Sequence, residues 1–502
     1  VPDFTVRYAD FAGGDYGSRD PARAEANTYS GTNVYPYTSG LLGVRAGLKY
    51  LPTTGLPNHP IVPGPLAFWS AFDKLVIWLN KGYDIPLTGG AATPWTAYPD
   101  NPNPNSPVRL VLGAGVVYSL CNGRLYKHAS PASTVVITTP APFSDIVRWG
   151  FYFVAVDSNI PWRIWYSTVD STGAHYDTWG ANDYLDVGGT EAITSLNPIF
   201  NTLFVGKRSG WNAVSGVLGT LASVRGIALG LGPMDPRTTT VTTDNRILYW
   251  PAEARPAWFN GERVFLDEAQ QVDTRSSPFP CDSVVVTPTR RRMIMANDID
   301  TGTQVLSWSN QAWSRHLFTK KVSGIVPGDV LDGTNLPPDV VYAVVAPQTV
   351  GEVPVIVSYH HGLDRPGHND DQFASPMDYG VGGLVAGTVV LPAYYEPIGR
   401  QVQVRGVIVQ FRKWPSGLDN SRNQIQLRVN ALGPYGRGMQ EGDIQYWDEP
   451  CERSPAGGRD DSWRCNFGAQ GWGNGFQIEF PRISGIAIRE VVVLCNVRTE
   501  RT

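Results

Sequence analysis

The sequence predicts an all-β chain, and three observations predict it. Charged residues make up only 17% of the 502 positions, too few for helices laced with surface ion pairs. Glycine (53) and proline (40) are abundant beside 16 Trp and 22 Tyr, the composition of strands joined by chemically specified turns. Short apolar runs also recur along most of the chain at a nearly constant spacing. At this length one hydrophobic core does not suffice, so several domains or one repetitive architecture are expected.

The recurrence is specific. Taking Ile77, Val117, Phe153, Phe204, Leu248, Ile294 and Val341 as anchors of seven apolar strands, the steps are 40, 36, 51, 44, 46 and 47 residues, with a mean of 44. Four strands of about five residues with their turns need roughly 40 to 45 residues, the length of one propeller blade. Several anchors are followed by a partner strand: Arg124–Tyr126, Trp162–Tyr166, Trp258–Leu266 and Gln304–Trp308. Asn122-Gly123 and Asn260-Gly261 supply residues that tolerate positive φ in hairpin turns. The expected architecture is therefore a β-propeller over residues 51–394, preceded by an extended N-terminal segment, 1–50. Beyond it the texture changes to strict alternation, as in Val402–Phe411, Gln424–Val429, Phe476–Phe480 and Ile486–Leu494. Period-two patterning marks a sheet with one wet face, and residues 395–502 are expected to form a C-terminal β-sandwich-like domain.

A formal charge of −4 argues against general affinity for nucleic acid, since proteins that grip phosphates carry a clustered basic excess. Lysine supplies 8 of the 41 basic residues and arginine 33. Five scattered cysteines give neither a disulfide scaffold nor a C-x-x-C zinc pair, and Cys451 with Cys465 is the one pair that brackets a loop. No apolar run reaches the ~18 residues of a membrane span. No basic and apolar leader precedes Val1, from which synthesis in a cytoplasm is expected.

The candidate chemistry is sparse. "YHHGLDRPGHNDD" gathers His360, His361 and His368 with three aspartates, but in a Gly/Pro-rich loop without a fixed ligand spacing it reads as an interface loop rather than a metal site. Arg290, Arg291 and Arg292 form a short basic run at a strand start, a candidate partner contact, although the commonest fate of such a run is an exposed turn. Trp162 and Trp165 in "PWRIWYS" and Trp472 in "GAQGWGNGF" could stack on sugar rings or pack between sheets. No nucleophile elbow, phosphate-binding loop or dinucleotide fingerprint is present, and no carboxylate pair can be placed at a hydrolytic separation. No catalytic residue, cofactor or metal is assigned, and the chain is expected not to be an enzyme.

The N-terminal stretch carries a resemblance. Gly13-Gly14, Arg19, Pro21, Asn27 and the run Ser39–Leu48 resemble the entry segment of the tail nozzle proteins (tail tubular protein B type) of short-tailed bacteriophages, with Ala46 where that pattern has Pro. Arg19 and Arg45 in this stretch are candidate interface residues. The resemblance implies a virion structural protein: a homo-oligomeric ring, typically a hexamer, below a tail adaptor, docking fibres or spikes, with transient contact to passing DNA. It also implies a first strand leading directly into the propeller. In such a conduit few cations should face the lumen, because each phosphate contact must be released again. The axial surface is expected to be acidic or neutral, with arginines at lateral interfaces. The alternatives are a tail-tip or receptor-binding component of a long-tailed phage, or a carbohydrate-binding or carbohydrate-hydrolysing propeller.

Overall fold

The structure, a computed structural model, describes residues 4–11, 14–15, 28–32, 34–36, 40–44, 48–51, 53–58, 66–69, 74–79, 81–86, 89–95, 108–113, 116–130, 132–168, 177–241, 245–251, 257–266, 281–287, 292–299, 302–309, 312–318, 322–327, 340–345, 353, 355–360, 386–413, 422–433, 439–450, 459–467 and 471–499. Among these residues there is no α-helix, and the strands fall into seven four-stranded antiparallel sheets, two larger sheets and one short two-stranded pair.

Each of the seven anchors lies in the second strand of its own four-stranded sheet. These strands are Lys74–Trp78, Val116–Cys121, Tyr152–Asp157, Thr202–Lys207, Ile247–Tyr249, Arg292–Ile299 and Val340–Val345, in what we number blades 1 to 7. The regular spacing survives because a blade is a meander whose length is fixed by four strands and three turns. The blades form a closed ring. The first strand of each packs against the first strand of the next, and that of blade 7, Val322–Pro327, packs against that of blade 1, Leu66–Trp69. The molecule is therefore a seven-bladed β-propeller among its described residues.

Second strands are largely apolar because neighbouring blades cover both of their faces. In Tyr152–Asp157 every residue after the first is buried. The outermost strand of blade 2, Ser133–Ile137, is exposed on both faces over its middle, where the consecutive Val135 and Val136 are both exposed. The Asn122-Gly123 turn of blade 2 has positive φ at both positions (50° and 75°), as a two-residue hairpin requires. The Asn260-Gly261 turn is built differently. Only Gly261 has a positive φ, 94°, while the Asn260 side chain accepts hydrogen bonds from the backbone N–H groups of Glu262 and Arg263 and so shapes a longer loop.

Blade 7 is completed by the N-terminal segment. Leu48–Tyr50 pairs antiparallel with Val355–His360 as its outermost strand, so the two ends of the ring are joined by hydrogen bonds across about 310 residues of chain. Leu51 and Leu56 continue into the apolar cluster that spans blades 1 and 7.

The two larger sheets form the sandwich. One runs Val34–Pro36, Leu42–Val44, Ile486–Thr499, Arg400–Lys413, Arg459–Asn466, with Phe4–Ala9 also paired to Ile486–Thr499. The other runs Gly14–Asp15, Thr28–Thr32, Ala386–Val390, Gly475–Ser484, Arg422–Leu432, Met439–Gln440, with Gln445–Pro450 alongside Arg422–Leu432. Alternation appears as expected: Ile425, Leu427 and Val429 point into the shared core while Gln424, Gln426 and Arg428 are half-buried. These sheets extend beyond residues 395–502. Five strands come from residues 4–44 and one from 386–390, because a sheet edge recruits whichever strand pairs with it. The first strand thus enters the sandwich rather than the propeller, and Tyr8 is anchored there by its hydroxyl, which donates to the Pro392 carbonyl at 2.9 Å. The outer strand of blade 6, Ala312–Phe318, packs against these N-terminal strands, and Arg315 donates to Ser30 Oγ.

Candidate interaction surfaces

The polar side chains with unusual environments sit between strands, where they hold blades together. Asp84 in blade 1, 2% exposed, accepts the Trp95 indole N–H at 2.6 Å and lies 3.6 Å from Lys74 Nζ. Burial pushes its carboxyl up, against the indole and the lysine, which pull it down. Gly82 makes the arrangement possible, because a Cβ there would run into the Trp95 ring. Blade 3 repeats the device with Trp165 donating to Asp157 at 2.8 Å.

His128, fully buried, stacks on Trp95 at 4.2 Å and contacts Ser119 Oγ (2.8 Å) and Thr134 Oγ1 (3.0 Å). A serine and a histidine at this distance invite comparison with a nucleophile and its base. Here the second ring nitrogen meets a hydroxyl instead of a carboxylate, and neither partner reaches solvent, so the pair is a packed contact within blade 2, with the Trp95 ring linking it to blade 1. Desolvation lowers the imidazole to about 3, leaving it neutral, one nitrogen donating and one accepting. The Asn122-Gly123 turn sets the register that brings Ser119 and His128 onto one face, a signal present in the sequence but overlooked by motif reading.

Between blades 2 and 3, Arg109 Nε donates to the buried Asp145 at 2.6 Å. Between blades 3 and 4, the buried Lys207 ammonium donates to the carbonyls of Val187 and Gly188, and burial lowers its pKa. Among the described residues no group of three or more His, Cys, Asp or Glu side chains gathers where a metal could be held, and no helix is long and apolar enough to cross a membrane.

The candidates named from sequence fall as follows. Trp165 is 6% exposed and bound to Asp157, so it packs the blade and offers no face to a sugar. Trp162 is half-buried, and its carbonyl accepts from the Val187 N–H. Trp472, also half-buried, lies under the Arg498 guanidinium at 4.4 Å. These three rings do not share a strand or a turn. Arg292 opens the second strand of blade 6 and His360 ends the third strand of blade 7. Arg19, Arg45, Arg290, Arg291, His361 and His368 lie outside the described residues, as does Cys451. Cys465 is a free thiol buried in the sandwich core, its pKa raised by burial.

Two surfaces that sequence reading missed stand out. The first is a face of the propeller. Trp149, ending the first strand of blade 3, donates its indole N–H to the Phe200 carbonyl just past the first strand of blade 4, so the turns after both strands lie on one side of the ring. There Phe151, Phe200, Val217 and Leu221 are 66%, 78%, 54% and 79% exposed. Phe200 has φ 48°, a left-handed conformation that glycine adopts freely and that Gly150 occupies in the equivalent turn of blade 3. The exposed Arg148 and Arg246 flank this patch, and the two turns of blade 4 within it, 200–201 and 216–222, contain no acidic residue.

The second surface is the edge of the sandwich. Residues 439–450, "MQEGDIQYWDEP", carry Glu441, Asp443, Asp448 and Glu449 and no lysine or arginine. The strand Gln445–Pro450 pairs on one side with Arg422–Leu432 and turns Tyr446, Asp448 and Pro450 outward, Tyr446 being 67% exposed.

Fold and surfaces together define a β-propeller protein with a strand-woven β-sandwich. No protein-family pattern matches the chain, and no curated protein matches it. Among solved structures it is similar to the β-propeller domain of Cps50 (Swd1) from Myceliophteria thermophila, at 10% identity over 59% of this chain and 96% of that one, with a TM-score of 0.41. It is also similar to U3-55K (9% identity, 62% and 98% covered, TM-score 0.40) and to the Dos1 propeller (10%, 66% and 83%, 0.37). The propeller rests on the pairing and ring closure described above.

Proposed function

We propose that the chain is a bacteriophage virion structural protein, a tail nozzle that assembles as a ring below the tail adaptor, extends the channel for genome ejection and docks fibres or spikes. In this reading it is a non-enzymatic wall component that acts in the virion after synthesis in the host cytoplasm. The entry-segment resemblance and the layout of propeller plus appended sandwich support it. The observation that carries it is the path of residues 4–50. That segment supplies strands to both sheets of the sandwich and then the closing strand of blade 7, so both modules are tied by backbone hydrogen bonds to one segment. A wall element that guides DNA under pressure needs such coupling, whereas a catalytic propeller needs an open constellation of reactive groups.

Localising the chain in an intact particle by cryo-electron microscopy tests the proposal. Density for a ring of this chain at the distal end of a short tail is expected. Finding it at the tip of a long tail, or on no particle, overturns it.

A further inference from the structure

We infer that the face formed by the turns of blades 3 and 4 docks on a lipid bilayer, with Phe151, Phe200, Val217 and Leu221 entering its interfacial region. The three turns, 150–151, 200–201 and 216–222, stand side by side on one foundation. Trp149, Tyr166 and Leu218 belong to a single apolar cluster with Tyr152 packed against it, and Gly219 sits beside the Tyr166 hydroxyl. Above that foundation the four side chains are more than half exposed, and apolar exposure grouped in this way marks a surface that meets another protein or a membrane.

Three observations select lipid as the occupant. None of the three turns contains a charged side chain, so insertion strips water from no ionised group. The turns are also tight. Pairing of Trp149 with Tyr152 and of Ile199 with Thr202 closes the first two, and in the third the N–H groups of Thr220 and Leu221 both donate to the Val217 carbonyl, so much of the backbone that would leave water is already hydrogen-bonded. Finally, the apolar groups project from separate turn tips and line no groove. A fluid phase accommodates that shape, whereas a folded partner would need a matching set of cavities. Phe200 adds a further mark: a large, mostly exposed aromatic in the left-handed region gains little from its own fold, and strain of this kind is retained where a side chain must be presented. Binding strength then follows the apolar area inserted, and neutral lipid suffices.

Co-sedimentation of the full chain with sucrose-loaded phosphatidylcholine vesicles tests the inference. The wild type is expected to bind, and to stay bound as salt rises from about 0.1 to about 0.5 M, because screening weakens charge contacts alone. Phe200→Asn with Leu221→Ser, in which asparagine suits the left-handed turn, should lose about tenfold or more in affinity, while Phe200→Leu keeps most of it. Val135→Ser with Val136→Ser removes exposed apolar groups from the outer strand of blade 2 and should bind as the wild type does. Near-UV circular dichroism confirms that each variant is folded. A face variant that binds like the wild type, or binding confined to anionic vesicles and abolished by salt, overturns the docking surface. So does a wild type that ignores neutral vesicles, and if the face variant then changes the sedimentation of the lipid-free protein, the patch is a protein contact instead. The tail reading is not used here. Lipid binding by a chain absent from phage particles removes the tail assignment alone, and a chain located at a tail that ignores lipid removes the docking surface alone.

Discussion

Phe200 shows how a single residue can work against its own fold. Its φ of 48° costs about 1 kcal/mol relative to residues that accept the left-handed region, and its exposed ring recovers little of that by packing. Phe200→Asn should therefore stabilise the chain by about 1 kcal/mol in urea unfolding. An unchanged or lower midpoint would show that the ring packs usefully on its neighbours. Trp95 poses the opposite case. Trp95→Phe removes the indole that supports the buried Asp84 carboxyl, and a loss of about 1–3 kcal/mol is expected from chemical denaturation. His128 gives a pH dependence. Its folded pKa of about 3 lies below the ordinary 6.5, so between these values the unfolded chain holds a proton that the native chain does not. Stability contributed by the neutral ring is present above about 6.5 and is lost as pH falls towards 3. The urea midpoint should drop between pH 7 and 5, and His128→Gln should flatten that limb; equal slopes in the two proteins would contradict it.

At the scale of the element, the closing strand Leu48–Tyr50 is the short joint on which the ring depends. It pairs through three residues and leads into Leu51 and Leu56, which seal blade 7 against blade 1. Replacing Leu48–Tyr50 by Gly-Ser-Gly removes strand propensity without shortening the chain. In hydrogen exchange the amides of Val355–His360 are expected to lose protection first, while those of Tyr152–Asp157 and Thr202–Lys207, on the far side of the ring, keep theirs. Uniform loss across all blades would mean that the ring opens as a unit. Turn chemistry belongs to this scale too. Asn122-Gly123 fixes a register that delivers His128 to Ser119, so one dipeptide determines a polar contact between facing strands.

For the whole molecule, threading one segment through both modules makes their stabilities interdependent. Five strands between residues 4 and 44 belong to the sandwich, and Leu48–Tyr50 belongs to blade 7. Calorimetry should accordingly show a single transition. A protease site inserted between Val44 and Leu48, once cut, should split it in two. Two transitions in the uncut chain would show that the modules unfold separately. The proposed nozzle role is a property of this scale, since it concerns how one rigid body meets the next.

How much was legible follows from these scales. The all-β class and a blade-length repeat were written in the chain, because second strands covered on both sides are largely apolar and a four-stranded meander has a nearly fixed length, whereas the number of blades was decided only by the structure. The alternating strands of the sandwich were legible for the same local reason. What pairs with a sheet edge is not local. That residues 4–44 would enter the sandwich, that Leu48–Tyr50 would close blade 7, and that Phe151, Phe200 and Leu221 would share one face while Trp165 vanished into a blade were decided only by the tertiary structure. Strand pairing and burial depend on partners hundreds of residues away, and no periodicity in the sequence records who those partners are.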